Sequence, residues 1–197
     1  TLAVSGLSAV AIKLADGANL PVNALLTGGV YLLVHNGTHF VVLNPSVSQQ
    51  AGLVATAQAV LTANTAITAQ IPVDDTLPQS GEGTEVISVS LTPKSTTSRL
   101  RIRFSTVMGS STATIVTAAL FINSGTSAVA VAPSNSAGNT TFNHLHLAYD
   151  YVPGTTAAQT FKIRVGAASG NSRINGDGGG RMYGGALQTI ITVEEHA

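Results

Sequence analysis

Arg99-Leu100-Arg101-Ile102-Arg103-Phe104 decides the fold class. Arginine and apolar side chains alternate without a break, and a period of two belongs to a strand that buries one face and hydrates the other. A helix would scatter these six residues around its circumference. Working outward, the same alternation recurs in Glu85-Val86-Ile87-Ser88-Val89-Ser90-Leu91, shortly before Pro93. It recurs again in Asn143-His144-Leu145-His146-Leu147-Ala148-Tyr149 and in Phe161-Lys162-Ile163-Arg164-Val165. Ile115 to Asn123 is an apolar run, Ser127 to Ala132 a shorter one, and Leu187 to Val193 closes the pattern. Clusters of Gly, Ser, Pro and Asn separate these segments, and no long amphipathic helix interrupts them. About seven short strands so spaced predict an all-β fold, a C-terminal β-sandwich of jelly-roll type over residues 71–197.

Upstream the text changes twice. Residues 1–45 carry a second strand signal, Val30-Tyr31-Leu32-Leu33-Val34 and Phe40-Val41-Val42-Leu43 around His35-Asn36-Gly37-Thr38-His39. Asn-Gly between β-rich runs predicts a hairpin with a type I′ turn, in which both central residues take φ > 0. His35 and His39 then become exposed cross-strand neighbours. Asp16-Gly17 predicts another turn. A module this small is unstable alone and must lean on a neighbour or on copies of itself. Residues 46–70 contain no charged side chain. Leu53, Val54, Ala57, Val60 and Leu61 fit helical spacing, and the Thr and Ala around them fit extended chain as well, so this segment is expected to be a connector, in part helical, that packs or winds against its symmetry mates.

Composition bounds the function. The 197 residues include nine basic and nine acidic side chains, a formal net charge of zero. Charged residues make up 9% of the chain and hydrophobic residues 44%. Ordinary domains carry roughly 25% charge, whereas this apolar share is usual. The chain is long enough to bury a real core, and its apolar content excludes general disorder. Without a net positive field, nucleic acid is excluded as a partner. No run of about 18 apolar residues is present, so no membrane insertion by a helix is expected. The absence of Cys removes disulfides and thiolate zinc sites. The start at Thr1 lacks an initiator Met and a charged n-region, and reads as a processing boundary rather than a signal peptide. Zero net charge favours association, so an obligate oligomer is expected.

Several short segments resemble a known family. Ile71-Pro72-Val73-Asp74-Asp75-Thr76-Leu77-Pro78-Gln79, then Glu82-Gly83-Thr84-Glu85 and Leu91-Thr92-Pro93-Lys94-Ser95, resemble the opening of a β-sandwich domain of tailed-bacteriophage tail fibres and spikes. Arg181-Met182-Tyr183-Gly184-Gly185 and Ile190-Ile191-Thr192-Val193-Glu194 resemble its ending. Gly28-Gly29-Val30-Tyr31, the His35–Phe40 stretch and Leu43-Asn44-Pro45 are similar to a short β module that often precedes such domains. The resemblance implies a homotrimeric virion surface appendage, joined to other virion proteins through its N-terminal side. Its terminal domain would meet a host cell-surface glycan. Many glycan-binding tips use Trp, and this sequence has none.

Candidate chemistry follows from side-chain type and spacing. Arg99, Arg101 and Arg103 form a one-face ladder with no acid between Val86 and Tyr149. They suit bidentate capture of anionic sugars or lipopolysaccharide phosphates, or pairing with acids of another strand such as Glu82, Glu85 or Asp150. Gly176 to Gly185 repeats glycine around Asp177, Arg181 and Tyr183. It reads as an anion nest with polar and stacking contacts for a sugar, or as a plain turn. Tyr149 and Tyr151 share a strand face and offer a stacking platform, or else fill the core. His144 and His146 at i and i+2 also share a face. In a trimer of the implied kind they would bring six imidazoles to a metal ion on the threefold axis. No other cofactor is implied.

Catalysis of glycan cleavage would need two carboxylates about 5–9.5 Å apart, and Asp74/Asp75, Glu82/Glu85 and Glu194/Glu195 are the pairs present. Asp-Asp-Thr before Leu-Pro reads as turn chemistry. The expected function is therefore non-enzymatic attachment of a virion fibre or spike to the host. The alternatives are an architectural fibre or head decoration, and a polysaccharide depolymerase component.

Overall fold

The computed structural model describes residues 9–20, 25, 30–43, 52–138 and 141–196. The chain divides into two compact units, Thr1–Gly52 and Leu53–Ala197.

In the first unit β1 (Ile12–Lys13), β2 (Leu33–His35) and β3 (Phe40–Val42) form a small sheet in the order β1-β3-β2. β3 is central, parallel to β1 and antiparallel to β2, and this position buries Val41 and Val42. The Asp16-Gly17 turn forms as expected: Asp16 Oδ1 accepts the Ala18 amide at 2.9 Å, and Gly17 sits at φ +84°. The Asn36-Gly37 turn is not type I′. Gly37 has φ +99°, but Asn36 does not enter the positive-φ region. Asn36 Oδ1 instead accepts the amides of Thr38 and His39, which widens the loop to four residues. His35 consequently pairs with Phe40 rather than His39. Gly28-Gly29 and Asn44-Pro45 lie outside the described residues.

The second unit is built from β4 (Leu53–Leu61), β5 (Thr65–Ile67), β6 (Thr84–Leu91), β7 (Arg99–Ser110), β8 (Ala113–Ile122) and β9 (Ala130–Ala137). It continues with β10 (Phe142–Tyr151), β11 (Gln159–Ala167), β12 (Ser172–Ile174), β13 (Gly176–Asp177), β14 (Gly180–Arg181) and β15 (Thr189–His196). One sheet runs β4-β15-β7-β10, with β12 and β5 added beside the far end of β7. The other runs β6-β11-β8-β9. Four antiparallel ribbons underlie both sheets: β4 with β15, β6 with β11, β7 with β10 and β8 with β9. Rolling such ribbons into two facing four-stranded sheets is the connectivity of a jelly roll.

The expected connector over 46–70 is corrected here. Residues 46–51 lie outside the described residues, but 53–61 are the edge strand β4 and 65–67 are β5. The compact unit therefore begins at Leu53, not at Ile71. Ala55, Ala57, Ala59 and Leu61 pack on the core, while Thr56 and Gln58 face water. That is strand periodicity with alanine as the inward residue. Ser127 to Ala132 also shifts, since the regular strand begins at Ala130.

Alternation builds the core. Leu100, Ile102 and Phe104 of β7 meet Phe161, Ile163 and Val165 of β11 within one buried cluster. β8 reads as a continuous apolar run because both its faces are covered. Val116, Ala118 and Leu120 face the main core, while Ala119 and Phe121 form a second cluster with Ile71 and Ala128. The Gln70–Gly83 loop holds that cover in place. Ile71 donates its amide to Ala167 and Gly83 to Gln70, and Arg164 donates to the carbonyls of Glu82 and Gly83. Gly83 has φ +60°, and a Cβ there would sit 2.8 Å from Ile71 and the Val165 carbonyl. Only glycine fits.

Candidate functional site

The jelly roll leaves the outer face of the six-stranded sheet open. On β7 the outward residues are Arg99, Arg101, Arg103, Ser105, Val107 and Gly109, and on β10 they are Phe142, His144, His146, Ala148 and Asp150. Register brings the two sequence motifs onto this one face: Asp150 stands opposite Arg101, His146 opposite Ser105, and His144 opposite Val107. β15 adds Thr192, Glu194 and His196 from the other side.

The arginine ladder is already paired. Asp150 takes Arg101 at 3.2 Å and Arg99 at 3.6 Å, and Glu194 lies 3.7 Å from both Arg103 and His196. Asp150 is one of the partners expected from sequence; Glu194 was missed. All these groups are partly exposed, so each pair contributes at most about 1 kcal/mol. Their arrangement spreads charge evenly and leaves no guanidinium of the ladder dedicated to a ligand. His144 and His146 are exposed on β10, and no cluster of three metal-ligating side chains exists among the described residues.

Tyr149 and Tyr151 point the other way. They stand opposite Ile102 and Leu100, pack against the core, and Tyr151 meets Phe161 edge-on at 6.2 Å. Strand parity forces this: once His144 and His146 face water, Tyr149 and Tyr151 face inward. The stacking platform is thus replaced by a core role.

The glycine-rich stretch forms the tight hairpin of β13 and β14, followed by one 3-10 turn at Tyr183–Gly185. Gly176 lies against the Gly180 carbonyl and the Asn64 side chain, where a Cβ has no room. The expected anion nest is filled by the protein itself, because Asp177 Oδ1 accepts the Gly179 amide at 2.8 Å. The three residues grouped by sequence separate. Asp177 lines a cleft, Arg181 lies over Gly185, and Tyr183 stands 73% exposed beyond it.

That cleft, of about 340 Å³, lies where β5, β12, β7 and β10 align. Ala66, Arg173, Gly109 and Phe142 occupy one row across the four strands. Gly109 contributes no side chain, so backbone forms a floor between the Arg173 guanidinium and the Phe142 ring. The Gly176–Gly178 hairpin makes one wall, and the exposed Ser111 also lines the cleft, while the side chains of Ser110 and Ser172 alternate to the buried face of the sheet. Arg173 donates to Asn64 Oδ1 at 3.4 Å, and among the described residues no carboxylate approaches it within ion-pair distance. Asn64 also donates to the Asp177 carbonyl, which ties Arg173 to the hairpin. Ser172 is 3% exposed, and its Oγ has no hydrogen-bond partner.

Comparison with protein-family models and with curated proteins gives no match. Two similar solved structures are viral. One is the bacteriophage CBA120 tailspike protein 4 enzymatically active domain, at 18% identity over 66% of this chain and 20% of that one, TM-score 0.28. The other is a structure of infectious bursal disease virus Gx strain, at 14% identity over 98% of this chain and 54% of that one, TM-score 0.34. This chain thus spans a fifth and about half of the chains it is similar to.

Arg173 and Phe142 were not singled out from sequence. Phe142 shares strand parity with His144 and His146, a signal that was present. Arg173 stands alone in a three-residue strand, and nothing local distinguishes it. Most of the carboxylates considered for catalysis make local contacts within the fold. Asp74 accepts both the hydroxyl and the amide of Thr76, which hold its carboxyl below the usual carboxylate range. Glu82 accepts the Gln79 amide, and Glu85 lies 3.8 Å from Arg164. Glu195 is fully buried: one of its oxygens accepts the amides of Lys94 and Ser95 and the hydroxyl of Ser98.

Proposed function

We propose that the chain is a non-enzymatic virion fibre or spike protein, a homotrimer that attaches to a host cell-surface glycan through the cleft beside Arg173. The cleft carries this reading. A sugar ring needs an apolar edge, directional polar groups and room, and here Phe142, Arg173 with the exposed Ser111, and the Gly109 floor supply them in turn. The jelly roll is a frequent fold of lectin and viral capsid domains. The motifs of residues 71–95 and 181–194 that resemble tailed-phage fibre domains favour the particle surface as its place. In this reading the N-terminal side joins other virion proteins. Weak binding at one cleft is multiplied by three linked copies.

The ladder supports a second reading, an architectural fibre or decoration without a receptor, because its arginines satisfy one another's acids and need no anion from outside. Immobilised lipopolysaccharides and capsular polysaccharides separate the two. The attachment reading expects retention on a subset, loss of retention on Arg173→Ala, and none on Arg103→Ala. Retention indifferent to Arg173→Ala removes the cleft from the account. Silence across the panel leaves the architectural role, and shortening of any polysaccharide contradicts the non-enzymatic assignment.

A further inference from the structure

We propose that Asn36 converts itself to aspartate and isoaspartate through a cyclic imide, promoted by the two histidines of its own loop. Four contacts place the necessary groups. The Gly37 amide, the nucleophile, donates to His35 Nδ1 at 3.2 Å. The Asn36 side-chain carbonyl oxygen accepts the amides of Thr38 at 3.1 Å and His39 at 3.0 Å. Those two donors sit where an oxyanion develops. The departing nitrogen, Asn36 Nδ2, lies 3.1 Å from His39 Nε2. Nothing lies within 4 Å of the place a Cβ would take on Gly37, so that side of its α-carbon is open.

The reaction balances with water as the one co-reactant. His35 removes the amide proton as Gly37 N bonds to Asn36 Cγ, and the carbonyl electron pair moves to Oδ1 in a tetrahedral adduct. Collapse of the adduct breaks the Cγ–Nδ2 bond, and His39, protonated from solvent, delivers the proton with which ammonia leaves. Water then opens the imide. Addition at Cγ gives aspartate, and addition at the Asn36 backbone carbonyl gives isoaspartate, with the chain lengthened by one carbon. His35 is held for its part by an edge-on contact with Phe40 at 5.0 Å. Either product adds a negative charge to a chain of formal net charge zero.

The sequence contains one other Asn-Gly pair, Asn175-Gly176, and it is an internal control. Asn175 is fully buried. Its Nδ2 donates to the carbonyls of Leu61 and Ala63, and its Oδ1 accepts the Thr189 hydroxyl. No imidazole is among these partners.

The test is time-resolved peptide mass mapping of the full chain held at neutral pH, folded and in denaturant. The expected result is that Asn36 converts faster in the folded chain than in the denatured one, while Asn175 stays intact in the folded chain. His35→Ala and His39→Ala should each slow Asn36 by roughly a hundredfold, the low end of positioned proton transfer. An Asn36 rate that is no faster folded than denatured overturns the proposal without any substitution. So does an unchanged rate in both histidine variants.

Discussion

Glu195 shows how much a single side chain holds. β15 alternates inward and outward, and Glu195 falls on an inward position between Val193 and the end of the strand. An unpaired carboxylate there would be prohibitive. The Lys94–Ser98 turn offers the amides of Lys94 and Ser95 and the Ser98 hydroxyl to one carboxylate oxygen, and these three bonds fix the turn. Removing the acceptor strands the buried Ser98 hydroxyl and two partly buried amides at once. Glu195→Ala is therefore expected to lower unfolding free energy by about 3 kcal/mol, read from urea titration. A loss within the ~0.5 kcal/mol typical of surface substitutions would contradict the clamp. The same scale explains Thr106, Thr189 and Asn175. Their buried side chains bond in sequence, and Asn175 secures the carbonyls of Leu61 and Ala63 that end β4.

At the scale of elements, the cleft exists because Gly109 sits in a row of side chains. Its backbone is not in the positive-φ region, and an added Cβ would meet the Thr141 carbonyl and the Phe142 ring at 3.5–3.6 Å, ordinary contact distances. Gly109→Ala should leave the fold intact or stabilise it by about 0.4–1 kcal/mol through the unfolded chain. It should also raise the cleft floor and weaken glycan retention. A drop in melting temperature together with undiminished retention would contradict this description. Elements also show what the sequence makes legible. β6, β7, β10 and β11 were readable because large apolar residues on one parity face polar ones on the other. β4 was not, because its inward residues are mostly alanine and Leu53, Val54 and Val60 mimic helical spacing. Asp177 was readable as part of a glycine-rich turn, whereas Arg173 and Phe142 meet only through register across β12, β7 and β10. No local pattern encodes that.

For the whole molecule, low charge asks for an explanation beyond one copy. β4 is an edge strand with no charged residue and no Pro, and Leu53, Val54 and Val60 on it are exposed. Exposed edges of that kind are usually blunted with charge or covered. The trimer proposal predicts a mass near three times 19.9 kDa by sedimentation equilibrium. A monomer across the accessible concentration range would contradict it. The central claim concerns the cleft, and amide hydrogen exchange on the full chain tests it most directly, with and without a polysaccharide that the chain retains. The account predicts new protection at Gly109–Ser111 and over 171–178, with the arginine ladder unchanged. Protection on the ladder alone, or confined to β4, would contradict it.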